Sequence, residues 1–120
     1  MELNLRLQVK PISANKMFVM RNKHKTADYL AYQNEIRDEL MGTAWPFGTE
    51  QVSFFVEAGV STRAADLDNT IKPLLDTFQS IFDEFNDNKV YHIELDKTIV
   101  PKGDEFLLVR VTLTEQKGTQ

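Results

Sequence analysis

The chain has no cysteine, and that absence excludes disulfides, zinc–thiolate sites, iron–sulfur clusters and thiol nucleophiles. Histidine is almost missing too. His24 and His92 are the only imidazoles, and neither has a second histidine or an acid at ligand spacing, so any metal site must be built from oxygen. No apolar run approaches the roughly 18–20 residues that span a bilayer, and the start MELNLRLQVK lacks the apolar stretch of a secretion signal. A cytoplasmic protein without membrane contact is expected. Glycine (5) and proline (4) are too few for a low-complexity chain, while 42% hydrophobic and 27% charged residues suit an ordinary globular fold. With 120 residues, a single domain over 1–120 is expected, with 115–120 as a frayed tail.

Acidic charge is scarce where basic charge is concentrated. Arg6, Lys10, Lys16, Arg21, Lys23 and Lys25 face only Glu2 within residues 1–27, a net of +5 that leaves −9 for the rest of the chain. A polyanion responds to the local field rather than to the overall charge of −4, so this arm is a candidate phosphate-binding surface.

Periodicity then sets out the elements. Leu3, Leu5, Leu7 and Val9 alternate as a first strand that Pro11 ends. A polar loop follows and displays Asn15, Lys16, Arg21 and Lys23. Thr26 is placed to cap a helix in which Tyr29, Tyr32, Ile36 and Leu40 share a face, up to Gly42. Val52, Phe54, Val56 and Ala58 form strand two, closed by Gly59. Ile71, Leu74, Leu75, Phe78, Ile81, Phe82 and Phe85 give a second helix of four turns, its start disturbed by Pro73. Tyr91, Ile93 and Leu95 mark strand three, and Leu107, Val109, Val111 and Leu113 mark strand four after the turn residues Pro101 to Asp104. The reading is an α+β fold with two layers: a mixed sheet in β-α-β-α-β-β order, two helices on one face, and the last two strands as a hairpin.

The chemistry gathers around the second helix. In an extended approach, Asp66 and Asp68 point to one side and can face one ion; Lys72, four residues after Asp68, sets an ammonium beside them. Asp87, ahead of strand three, joins them if that strand lies beside the segment after strand two. Three hard oxygen donors suit Mg²⁺ or Mn²⁺. Plainer roles exist for each: Asp66 or Asp68 as a helix cap, Asp87 as part of the polar turn with Asn86 and Asn88, and Lys72 in a surface ion pair. Asp76, Asp83 and Glu84 fall on the polar face of the second helix, and Glu94 and Asp96 on the solvent side of strand three.

Asp66-Leu67-Asp68-Asn69, Lys72, and Asp87 with Val90 three further on resemble the RusA-type Holliday-junction resolvases, as does the segment Pro11, Ser13, Asn15 ahead of a basic loop and first helix. The resemblance implies a homodimeric, Mg²⁺-dependent endodeoxyribonuclease of DNA recombination and repair that nicks opposed strands of four-way junctions. It implies Asp66, Asp68 and Asp87 as metal ligands (Mg²⁺, with Mn²⁺ as the alternative) and Lys72 as the catalytic lysine. Lys10, Asn15, Lys16, Arg21, Lys23, Lys25 and Arg63 are the candidates for holding branched DNA, and Phe55 with Met17, Phe18 and Met20 the candidates for the dimer interface. Two other classes compete: a non-catalytic branched-DNA binding protein of the same fold, and a phosphatase read from Asp66-x-Asp68-x-Thr70. The phosphatase motif needs an apolar strand running straight into its first aspartate, which Thr62 to Ala65 do not supply.

Overall fold

The computed structural model describes residues 1–19 and 24–114. A four-stranded mixed sheet carries two helices: β1 (Glu2–Leu7), α1 (Ala27–Glu39), β2 (Val52–Val60), α2 (Ile71–Ile81), β3 (Val90–Ile99) and β4 (Phe106–Leu113). Three 3₁₀ turns punctuate it, at Ala14–Lys16, Leu67–Thr70 and Asp87–Lys89. The expected α+β class and element order hold. No helix among the described residues is long and apolar enough to cross a membrane.

The local signals explain where the elements stand. Thr26 caps α1, its hydroxyl accepting from the Tyr29 N–H at 3.1 Å, and the face Tyr29, Tyr32 and Ile36 is buried as its spacing requires. α2 begins after Thr70, so Pro73 falls in the first turn, where a missing N–H costs nothing. It ends at Ile81, a turn sooner than the apolar spacing suggests. Asp83 and Glu84 would oppose the negative end of the helix dipole, and Phe82 and Phe85 leave the helix to pack on Trp45, with ring centroids at 5.3 and 4.8 Å.

Strand order is β1-β4-β2-β3. The expected hairpin of the last two strands does not form: β4 lies antiparallel between β1 and β2, while β3 runs parallel to β2 on its other side. Composition explains the choice. β4 carries Leu107, Val109 and Val111, all buried, and suits the interior, whereas β3 carries Glu94, Asp96, Lys97 and Thr98 and suits an edge. The Pro101–Asp104 turn still forms, with the Asp104 N–H bonded to the Pro101 carbonyl at 3.0 Å, but it carries the chain across the end of β2. Gly59 also continues β2 instead of ending it, because the Phe106 ring occupies the space a Cβ would need.

One face of the sheet is covered. Val52, Phe54, Val56 and Ala58 are buried against the two helices, Phe54 meeting Phe78 at 5.8 Å. α1 and α2 are tied to each other by a polar chain in the core: Lys25 Nζ donates to Gln33 Oε1 at 2.8 Å, and Gln33 Nε2 donates to Tyr29 Oη (3.0 Å) and Thr77 Oγ1 (3.2 Å). On the other face Phe55 is half-buried beneath the Arg110 guanidinium, 4.1 Å from its ring.

Candidate functional site

The segment between β2 and α2 is where the sequence concentrates its acids. Asp66 is extended (φ −82°, ψ 117°) and precedes the 3₁₀ turn Leu67–Thr70, which is tightened by the Thr70 hydroxyl donating to the Leu67 carbonyl at 2.6 Å. Asp68 therefore lies inside a turn and not on an extended approach, so the two carboxylates do not share a side as alternate strand residues would. Neither is spent as a cap. Asp66 occupies the cap position of the turn yet makes no side-chain capping bond, and its sole side-chain partner is the Asn69 amide at 3.5 Å among the described residues. The cap at the start of α2 is Thr70, likewise without a side-chain capping bond.

Asp66 borders a cleft of about 350 Å³ that is also lined by Lys10, Ser13 and Lys16 from the start of the chain and by Asp28, Tyr32 and Glu35 of α1. The Ala14–Lys16 turn owes its shape to Ser13, whose Oγ accepts from the Asn15 N–H at 3.2 Å. Two lysines and three acids, Asp28, Glu35 and Asp66, thus line one cleft, Asp66 from a segment distant in the chain. Tyr32 also lines this cleft, and its buried hydroxyl has no hydrogen-bond partner. Burial pushes its pKa well up, so it stays a neutral O–H. Tyr29 is shifted the same way, by burial first and then by the charge of Asp76.

Other expected partners fall elsewhere. Lys72 pairs with Asp76 at 3.4 Å along the helix, on the solvent side, and not with Asp68. Asp87 is at the opposite end of α2: its N–H donates to Gln79 Oε1 at 3.0 Å, near the helix C-terminus. The parallel pairing gives the reason. Val90 at the start of β3 stands beside Val52 at the start of β2, whereas Asp66 follows the end of β2, where Lys97 Nζ donates to the Arg63 and Ala65 carbonyls at 3.1 and 3.0 Å. From Val90 to Lys97 is about 23 Å along a strand. The residue that enters β3 thus lies at the other mouth of the sheet from the residues that leave β2. Among the described residues no group of three or more acids and histidines is placed to hold a metal ion. Within one chain, Asp87 and Asp66 thus stand at different ends of the sheet.

Of the basic candidates, Lys10 and Lys16 line the cleft, and Arg63 is exposed. Lys25 is engaged with Gln33 and lies 5.5 Å from the Tyr29 ring centroid. Arg21 and Lys23 lie outside the described residues, as do Met20 and the 115–120 tail. Met17 is core, 1% exposed, which removes it from any interface; Phe18 remains exposed. Two features escape a reading of the sequence alone. His92 does have an acidic neighbour, Glu94, 3.3 Å away two residues along β3. Glu105, 8% exposed, accepts from the Gly103 N–H at 2.8 Å, and its own and the Gly103 backbone N–H hold its pKa below the usual carboxylate value. Alternation along strand three and the glycine in the turn are the local signals for the two.

The chain matches no protein-family model and no curated protein.

Proposed function

We propose that this protein is a cytoplasmic endodeoxyribonuclease that acts on branched DNA, four-way junctions foremost, as its resemblance to RusA-type resolvases implies. The observation that carries the reading is a cleft lined both by Asp66, a carboxylate unspent as a cap, and by Lys10 and Lys16. Ammonium groups attract a phosphodiester, and a free carboxylate beside them is a hard donor for Mg²⁺ or Mn²⁺ near the scissile phosphate. Lys10 and Lys16 bind and orient the DNA backbone; Asp66, with Asp68 two residues on, belongs to the metal side. Lys72 serves from the first turn of α2, where releasing Asp76 would free its ammonium for the charge that develops on phosphate.

The separation of Asp87 from Asp66 favours a second reading, a non-catalytic protein that binds branched DNA through the same cleft. Labelled four-way junctions incubated with Mg²⁺, Mn²⁺ or EDTA separate the two. The nuclease yields paired nicks with either cation and none in EDTA; shifted but uncut junctions under all three conditions select the binding protein.

A further inference from the structure

The helix side of β3 carries a row that is apolar but for one member. Glu94 and Asp96 line a groove on the open face with Phe55, and the Thr98 hydroxyl donates to Glu57 there, so alternation sets Tyr91, Ile93, Leu95, Lys97 and Ile99 on the other side. A lysine on a sheet edge has a plain explanation, a charge that keeps other strands away. Lys97 does more than that explanation requires. Its Nζ donates to the Arg63 and Ala65 carbonyls at 3.1 and 3.0 Å, and no carboxylate among the described residues forms an ion pair with it.

The structure assigns to Lys97 the role of a positioning residue: by holding these two carbonyls it fixes the backbone that aims Asp66. The segment it grips has little else to hold it. Residues 61–66 belong to no strand or helix, and Thr62, Arg63 and Ala64 are exposed. Their local bonds centre on Thr62, whose Oγ1 accepts from the Ala64 N–H at 3.2 Å and whose carbonyl accepts from the Ala65 N–H at 3.4 Å. Ala64 and Ala65 bring only a methyl group each to packing. Lys97 stands beside Ala58 in the parallel pairing, so its long stem reaches past the end of β2 to the chain that leaves it.

The consequence for Asp66 follows from peptide geometry. Its Cα lies between two planar peptide groups, and their orientations are its φ and ψ. The Ala65 carbonyl belongs to the plane before it and is held by Lys97; the Asp66 carbonyl belongs to the plane after it and accepts from the Asn69 N–H at 3.2 Å. With both planes pinned, φ −82° and ψ 117° are fixed, and the carboxylate has only its own rotamers left to choose among. The Asn69 bond comes with the 3₁₀ turn. The Lys97 bond comes from 32 residues further along the chain and is the half of the arrangement that the tertiary fold supplies. A carboxylate aimed before its ligand arrives loses less freedom on binding it. The meaning of that aim for catalysis rests on the nuclease reading; the grip on the two carbonyls does not.

Trypsin reads the grip directly, because the bond it attacks after Arg63 is the one whose carbonyl Lys97 holds. In Lys97→Met, which keeps a long apolar stem and removes the donors, cleavage after Arg63 should run about 10-fold faster than in wild type. Cleavage after Arg37, inside α1, should not change. Lys97→Arg restores N–H donors and should return the bond to protection. Unchanged cleavage after Arg63 in Lys97→Met overturns the assignment, and so does an equal rise at both sites, which reports a general loosening of the fold. If wild type nicks four-way junctions, Lys97→Met should also lower the single-turnover rate about 10-fold and leave the dissociation constant for the junction, measured in EDTA, where it was. Lys97→Arg should recover the rate. A rate that falls in step with affinity makes Lys97 a phosphate contact, and wild-type nicking by a chain already open at Arg63 means that Asp66 does not depend on it; either result overturns the positioning role. A wild type that cuts no branched DNA sinks the nuclease reading and leaves the trypsin comparison to decide whether Lys97 holds the segment.

Discussion

The two ends of α2 are built on opposite principles. At its N-terminal end Asp66, Asp68 and Lys72 are exposed and the turn is uncapped by side chains; at its C-terminal end Phe82, Phe85 and Trp45 form a buried aromatic cluster fixed by the Trp45 Nε1 bond to the Gly48 carbonyl at 3.1 Å. One end leaves the carboxylates of Asp66 and Asp68 uncommitted to a cap, and the other spends its aromatic side chains on packing. A segment that holds itself in shape by backbone bonds can leave its carboxylates free for a ligand, so the contrast divides the molecule into a chemical end and a structural end.

The sharpest way to break this contrast is to substitute at both ends and compare. Asp66→Asn should lower junction nicking by about 10²-fold or more while moving unfolding stability by less than about 0.5 kcal/mol, since it forms no capping bond that the change would remove. Gel assays and urea melts of the same preparation check both halves. A stability loss of about 1 kcal/mol with activity retained would return Asp66 to the role of a cap. Phe85→Ala should do the reverse, costing about 3–5 kcal/mol of stability through the cavity it leaves beneath Trp45. Any activity that survives in its folded fraction should be normal per molecule.

Smaller effects sharpen the picture of the cleft. Lys10→Gln with Lys16→Gln should weaken binding to DNA of any sequence and flatten the slope of log K against log salt by up to about 1.8, roughly 0.9 for each phosphate that is no longer neutralised. A titration over several salt concentrations reads this directly, and an unchanged slope would remove both from the DNA surface. Glu105 offers a separate reading in pH, although Lys10 of the cleft is among the charges that act on it. Its folded pKa lies below the ordinary value of 4.5, so its contribution is present above that value and lost as pH falls through the folded pKa. Glu105→Gln should therefore be less stable than wild type at neutral pH, the gap closing in acid, as urea melts from pH 7 downward would show. Tyr32→Phe should be the mildest change. Removing a buried hydroxyl that has no partner is neutral or stabilising by about 1 kcal/mol. A clear stability loss would mean that the hydroxyl is satisfied in solution.

Much of the fold was legible because its signals are local. Thr26, the Tyr29–Tyr32–Ile36 face and the alternations of Val52 to Ala58 and Leu107 to Val111 depend on residues a few positions apart, and each element stands where they place it. Gly59 and the end of α2 mislead for a common reason. A glycine and an apolar period report local preference, but the Phe106 ring and the Trp45 cluster that decide these positions come from elsewhere in the chain. The candidate site divides the same way. Motif spacing singles out Asp66, Asp68, Lys72 and Asp87, and spacing alone is silent on which of them meet.

By itself the sequence determined the α+β class, the order of the elements, the lack of any thiol chemistry and the concentration of positive charge before residue 27. Only the tertiary structure decided that β4 enters the sheet between β1 and β2, that β3 is left at the edge, and that Lys10 and Lys16 share a cleft with Asp66 while Asp87 does not. Local spacing controls the dihedrals of a segment, but the place of a strand in a sheet is settled by competition among all strands for the buried positions. β4 wins the interior with Leu107, Val109 and Val111, and the charged β3 is turned outward, which fixes the end of the sheet at which Asp87 emerges.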